Sequence, residues 1–141
     1  MDVELSHDPA RLDRQLVIGW LTQSSYWATG RPAEVQAAAI DASLNVGAYA
    51  EGRLLGYARL VTDRATFGWI CDVFVLPEVR GQGIARAMVQ SLIDHPDVRT
   101  VRRFMLATKD AHGVYSALGF APVGEPGRWM ELYRPDGSTK R

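Results

Sequence analysis

Hydrophobic and polar residues follow two different periods along this chain, and the switches between them mark its elements. One largely apolar run, Cys71-Asp72-Val73-Phe74-Val75-Leu76, is rich in β-branched and aromatic residues and reads as a buried strand. Pro77 breaks it, glycines follow at 81 and 83, and the period then changes. Ile84, Met88 and Leu92 recur every four residues, as do Ala85, Val89 and Ile93, with Arg86 and Gln90 on the other side. That is the stripe of an amphipathic helix. The order is strand, glycine turn, helix.

The same reading extends in both directions. Residues 3–6 form a short strand. Asp8 is an N-cap with Pro9 at the first helical position, and Leu12, Leu16 and Trp20 carry that helix to about residue 21. A second helix covers 32–41. Residues 44–50 and 53–62 make a hairpin across Glu51-Gly52, and 65–76 is the third strand of an antiparallel meander. The glycine-turn helix stops near His95-Pro96, because a residue before proline avoids helical geometry. Residues 103–108 return as a strand, parallel to the long one if the two are neighbours. Asp110 caps a short helix over 111–118, Gly119 ends it, and Phe120 folds back on the core. Residues 129–133 form a last strand. The expected fold class is α/β of the α+β kind. It has a mixed, mostly antiparallel central sheet, N-terminal helices, a glycine-loop helix and a short C-terminal helix. Residues 1–134 are read as one domain and 135–141 as a polar tail.

Composition narrows the function. The chain has 141 residues, enough for one sizeable core, and 47% of them are hydrophobic. Its formal net charge is zero, which argues against a nucleic-acid surface, although Arg99, Arg102 and Arg103 make a local basic patch. The single cysteine, Cys71, lies in the apolar strand and reads as a small core residue. The lack of a disulfide framework suits a reducing cytoplasm. The acidic start, Met1-Asp2-Val3-Glu4, is followed by no apolar signal core, and no run reaches membrane-spanning length. His7, His95 and His112 are far apart, and no metal site is expected.

The strand–glycine–helix junction favours an anion. The first turn of a helix leaves N–H groups unpaired and carries about half a positive charge. Glycines admit a ligand close to the main chain, and Arg80 and Arg86 add full charges, so a phosphate or pyrophosphate suits the place. A plain strand-to-helix turn is the alternative. Gly-x-x-x-x-Gly-Lys-Ser/Thr is absent, and Gly-x-Gly-x-x-Gly fails at Arg86. Arg80-Gly81-Gln82-Gly83-Ile84-Ala85, after a Val-x-Pro strand end, does resemble the pyrophosphate loop of the Gcn5-related N-acetyltransferases. Tyr115-Ser116-Ala117-Leu118-Gly119-Phe120 resembles the same superfamily's Tyr-x-x-x-Gly-Phe segment, 35 residues beyond Arg80.

The resemblance implies acetyl-CoA as cosubstrate, bound where two parallel strands splay. The backbone of Val73, Phe74 and Val75 would pair with the pantetheine amides. The N–H groups of Arg80, Gly81, Gln82, Gly83, Ile84 and Ala85, with Arg86, would hold the pyrophosphate. Tyr115 aligns with the tyrosine that protonates the departing thiolate; a phenol pKa of about 10 lies near that of a thiol. The Val75 N–H is the expected oxyanion donor. Asp72, ionisable within an apolar strand, is either the base or a salt-bridge partner of Arg59. His112, one helical turn before Tyr115, is either a second base candidate or a solvent-facing residue. Asp110 stands where many relatives have a coenzyme-contacting asparagine, so it is either a coenzyme contact or only a cap. Tyr26 and Trp27 either line the acceptor wall or pin their loop to the core. The implied function is N-acetyl transfer to a primary amine in a ternary complex. The alternative is a non-catalytic acyl-CoA sensor or interaction module. The expected partner is an amine acceptor, not nucleic acid or membrane, and an exposed strand edge near the C-terminus is compatible with a homodimer.

Overall fold

A computed structural model describes residues 1–135. Five strands form one sheet in the order β1 (Glu4–Ser6), β2 (Leu44–Ala50), β3 (Arg53–Thr62), β4 (Phe67–Val75) and β5 (Arg103–Met105). The first four are antiparallel to their neighbours, and β5 runs parallel to β4. The helices are α1 (Arg14–Gly19), α2 (Ala33–Asp41), α3 (Ile84–Ile93) and α4 (His112–Ser116). This is the mixed, mostly antiparallel α/β arrangement expected, and β2 and β3 have the predicted bounds.

Strand alternation sends side chains to two layers. Val46, Ala48, Leu60 and Ile70 pack under α3 with Ile84, Met88, Val89 and Leu92. The opposite face carries Tyr57 and Phe74, covered by Val17, Leu21 and Ile40 of the N-terminal helical layer. β2 is buried along its whole length. Among the described residues no helix is long and apolar enough to cross a membrane.

Three expectations are corrected. The single helix over 9–21 is divided. Asp8 does accept from the Ala10 N–H at 2.9 Å, but its short 3-10 turn closes at Leu12. Asp13 then caps α1 through the Leu16 N–H, and the helix widens into a π turn at Trp20–Ser24. Two acids in series make two starts, where periodicity alone implied one. The strand expected over 129–133 does not form, and Met130 there is 96% exposed. A five-residue, mostly apolar run has no ladder to join, since β5 is only three residues long. Asp110 caps nothing: Ala111 occupies the N-cap position of α4, and its N–H is met by Thr108 Oγ1.

The end of α4 is as read. The Gly119 N–H donates to Ser116 O and the Phe120 N–H to Tyr115 O, and the Phe120 ring packs edge-on to Tyr115. Most of the tail read as 135–141 lies outside the described residues.

Candidate active site

β5 pairs with β4 only at Phe67–Arg103, Gly68–Phe104 and Trp69–Met105. Beyond Trp69 the two parallel strands part, and a cleft of about 920 Å³ opens between them. This volume suits a cofactor-sized ligand. Its lining joins the end of β4, the glycine turn, the segment before α4 and the loop between α1 and α2.

At one end lies the N-terminus of α3. Gly81 and Gly83 have φ of +80° and +82°, a conformation that L side chains rarely adopt, and a Cβ on either would face open space. No side chain caps the helix at Gly83. Arg80, Gly81, Gly83, Ile84, Ala85 and Arg86 line the cleft, whereas Gln82 does not. The Arg80 Nε–H donates to Val75 O at 2.8 Å, and its guanidinium lies over the Phe74 ring. This side chain ties the turn to the end of β4.

In mid-cleft are Val73, Phe74 and Val75 from β4 and Tyr115 from α4. Burial, and then the neighbouring Tyr26, push the Tyr115 phenol above its ordinary pKa, so it keeps its proton at neutral pH. Asp110 also lines the cleft, while His112 is exposed and lies outside the lining. The structure does not bring His112 to Tyr115's side of α4.

The far end is organised by Asp72. The β3–β4 register slips between Tyr57 and Arg59, so Asp72 and Val73 together oppose Ala58. Asp72 takes φ +52° in this bulge, a conformation that Asp and Asn tolerate better than other non-glycine residues. The bulge turns its carboxylate inward, where the residue is 3% exposed. Four side chains donate to it: Arg59 Nε at 2.6 Å, Trp27 Nε1 at 2.9 Å, Gln36 Nε2 at 3.0 Å and Arg31 Nη1 at 3.1 Å. Burial would raise its pKa. The bonds from Arg59 and Gln36, with the charges of Arg59 and Arg31, outweigh burial and hold it below the usual carboxylate range. A carboxylate so occupied is a weak base, and the salt bridge to Arg59 is the arrangement found.

Tyr26 and Trp27 both border the cleft. Trp27 also pins its loop through Asp72, so the two readings of this residue coexist. Tyr26 packs edge-on to Trp27, and Lys109 from the opposite wall reaches its ring, with Nζ 5.6 Å from the centroid. Cys71 lines the cleft rather than the core, but burial raises its thiol to about 11, so it is a poor nucleophile.

Sequence reasoning did not single out Arg31 or Gln36, and named Arg59 only as the alternative salt-bridge partner of Asp72. Arg59 had a usable signal, a lone charge inside Tyr57-Ala58-Arg59-Leu60-Val61, the same signal that exposed Asp72. Arg31 and Gln36 had none, because only the packing of the helical layer brings them to β4. Among the described residues no group of acids, histidines and cysteine is arranged to hold a metal ion.

Comparison with known proteins agrees with this geometry. A candidate acetyltransferase of Gibberella zeae is 31% identical over 129 residues, covering 77% of this chain and 73% of that protein. A crystal structure from Xanthomonas campestris pv. campestris, assigned to the GNAT family, superposes with a TM-score of 0.90 at 43% identity, over 96% of this chain and 95% of that one. A candidate acetyltransferase from Clostridium acetobutylicum, solved with acetyl-CoA, shares the fold with a TM-score of 0.69 at 18% identity, over 94% and 95% of the two chains. The sequence profile of the Acetyltransferase (GNAT) family matches residues 14–120, and this chain belongs to that family.

Proposed function

We propose that this protein is an N-acetyltransferase that moves the acetyl group of acetyl-CoA to a primary amine within a ternary complex. One observation carries the reading: a single cleft joins the uncapped, glycine-flanked start of α3 to the protonated phenol of Tyr115.

The residues fit the coenzyme. The pyrophosphate is taken by N–H groups of the turn from Arg80 to Ala85, with Arg86 adding charge. The open space beyond Gly81 and Gly83 leaves room for it. Residues 70–75 of β4 lie beyond the reach of β5, and their edge suits pairing with the pantetheine amides. Bound acetyl-CoA supplies the acyl group as an activated thioester. The acceptor's ammonium first gives one proton to water. In the transfer the neutral amine forms an N–C bond as the C–S bond breaks, and the nitrogen loses a second proton while the sulfur gains one. Tyr115 gives the sulfur its proton, and its raised pKa keeps that proton available into alkaline solution. The Val75 N–H, at the end of the parted strand, serves the carbonyl oxygen. Asp72 is occupied by its four donors and His112 lies outside the cleft, so the amine's proton leaves through water.

The test is release of free thiol from acetyl-CoA in the presence of a panel of primary amines. Amine-dependent release, lowered about 100-fold or more in Tyr115→Phe with acetyl-CoA affinity retained, is the expected result. Tight coenzyme binding without turnover of any amine would favour a sensor role instead.

A further inference from the structure

The acceptor end of the cleft is charged in a way that coenzyme binding does not use. We infer that the acceptor is an amine with an apolar body that also carries a compact anionic group, a carboxylate or a phosphate monoester, gripped by Arg31 beside Arg59. This rests on the reading that acetyl-CoA lies along β4 and the start of α3.

Four observations lead to this class. First, Arg31 spends only one nitrogen on the protein. Its Nη1 donates to Gln36 Oε1 at 2.6 Å and to Asp72, while Nε and Nη2 have no acceptor among the described residues. The side chain is 27% exposed and borders the cleft. A guanidinium anchored at one nitrogen presents its remaining donors in a rigid fork, the geometry that matches a carboxylate or phosphate.

Second, the local charge is positive. Asp72 is a single carboxylate shared between two guanidiniums, at 2.6 Å to Arg59 and 3.1 Å to Arg31. One positive charge is left over, at the partly exposed Arg31. Arg59 Nε is taken by Asp72 and its Nη1 by Ser43 Oγ, and this residue too faces the cleft. A polyamine acceptor would bring its charges against this surplus.

Third, the floor beside the arginines is apolar. Val61 and Trp69 are cross-strand partners on β3 and β4, and both line the cleft with Leu106 from beyond β5. An acceptor that lays an aliphatic or aryl body on this floor places its anion at Arg31. Fourth, the other acid of the lining, Asp110, has no ion-pair partner among the described residues and stands on the opposite wall. There it complements the protonated amine in which the acceptor arrives. The site thus offers a cation to one end of a zwitterion and an anion to the other.

The test uses the full chain with coenzyme A present. Probes are N-acetyl-L-phenylalanine and N-acetyl-L-leucine, their carboxamides, O-phosphoethanolamine and spermidine, each titrated by calorimetry. The same amines in unacetylated form are assayed for thiol release. The acids, or the phosphate ester, are expected to bind at least ten-fold more tightly than the carboxamides and spermidine. Arg31→Gln should abolish that preference and Arg31→Lys should keep part of it, with acetyl-CoA affinity unchanged in both. Binding of the phosphate ester but not the acids would assign the anion as phosphate. Equal binding of acids and carboxamides, preference for spermidine, no binding of any probe, or a preference that survives Arg31→Gln would overturn the inference while acetyl-CoA binding stands. Failure of the parent protein to bind acetyl-CoA would instead remove the coenzyme reading, and this inference with it. The acid–carboxamide comparison needs no variant, so it holds even if Arg31→Gln folds poorly.

Discussion

Replacing Asp72 by asparagine separates an organising role from a catalytic one. Asparagine keeps the size and tolerates the φ of +52°, so the bulge is not strained by the change. It removes the charge and turns a donor toward Arg59, Arg31, Gln36 or Trp27, all of which donate to this carboxylate. Removing one partner of a buried ion pair costs about 3–5 kcal/mol. Arg59 is 11% exposed and stays largely dry, whereas Arg31 at 27% recovers part of its hydration. The loss should therefore fall near the lower bound, about 3 kcal/mol. At this chain length each kcal/mol shifts Tm by roughly 3–5 °C, so a fall of about 10–15 °C is expected. Urea unfolding followed by circular dichroism gives the free energy, and thermal unfolding gives Tm. Coenzyme affinity should change little, because the pyrophosphate turn lies at the other end of the cleft. A loss below about 1 kcal/mol, with turnover abolished, would make Asp72 the base and refute the reasoning.

Other perturbations reach other parts of the account. Gly83→Glu puts a carboxylate in the phosphate site at a φ of +82°; calorimetry should show acetyl-CoA binding lost, with the fold weakened by about 1–2 kcal/mol from the backbone alone. Tyr115→Phe should lower kcat with KM for the coenzyme nearly unchanged, and any fall of the parent's kcat from phenol ionisation should have its midpoint above about pH 10. His7 meets Ser91 Oγ at 3.1 Å and the His95 ring at 4.9 Å; burial first, and His95 second, lower its pKa. The unfolded chain therefore binds the proton more readily, so this contribution is full above about pH 6.5 and is lost as the pH falls through the lower folded value. Urea unfolding at pH 7.5 and pH 5.0 should show a smaller acid loss in His7→Gln than in the parent.

Much of this site could be read in the chain, and what escaped did so for physical reasons. The hairpin of β2 and β3 follows from alternation bounded by a turn, both local properties. The glycine turn is local too, since positive φ at Gly81 and Gly83 is written in residue type. The bulge at Asp72 is not. It depends on register against β3, and a one-residue slip leaves no mark in hydrophobicity. Asp72 was recognisable as an anomaly, but its two guanidinium partners decide its chemistry, and Arg31 comes from a loop 41 residues away. Residues 129–133 erred in the other direction. An apolar, aromatic-rich run promised a strand, but a strand needs a partner, and β5 ends after Met105. His112 and Tyr115 are one turn apart, which suggested a shared face; the placement of α4 against the cleft admits only Tyr115.

The most direct test of the central claim is calorimetric titration of the protein with acetyl-CoA, with ATP and NAD as controls. The account predicts selective binding in the micromolar range, about −8 kcal/mol. Absence of acetyl-CoA binding, or equal binding of ATP, would contradict it.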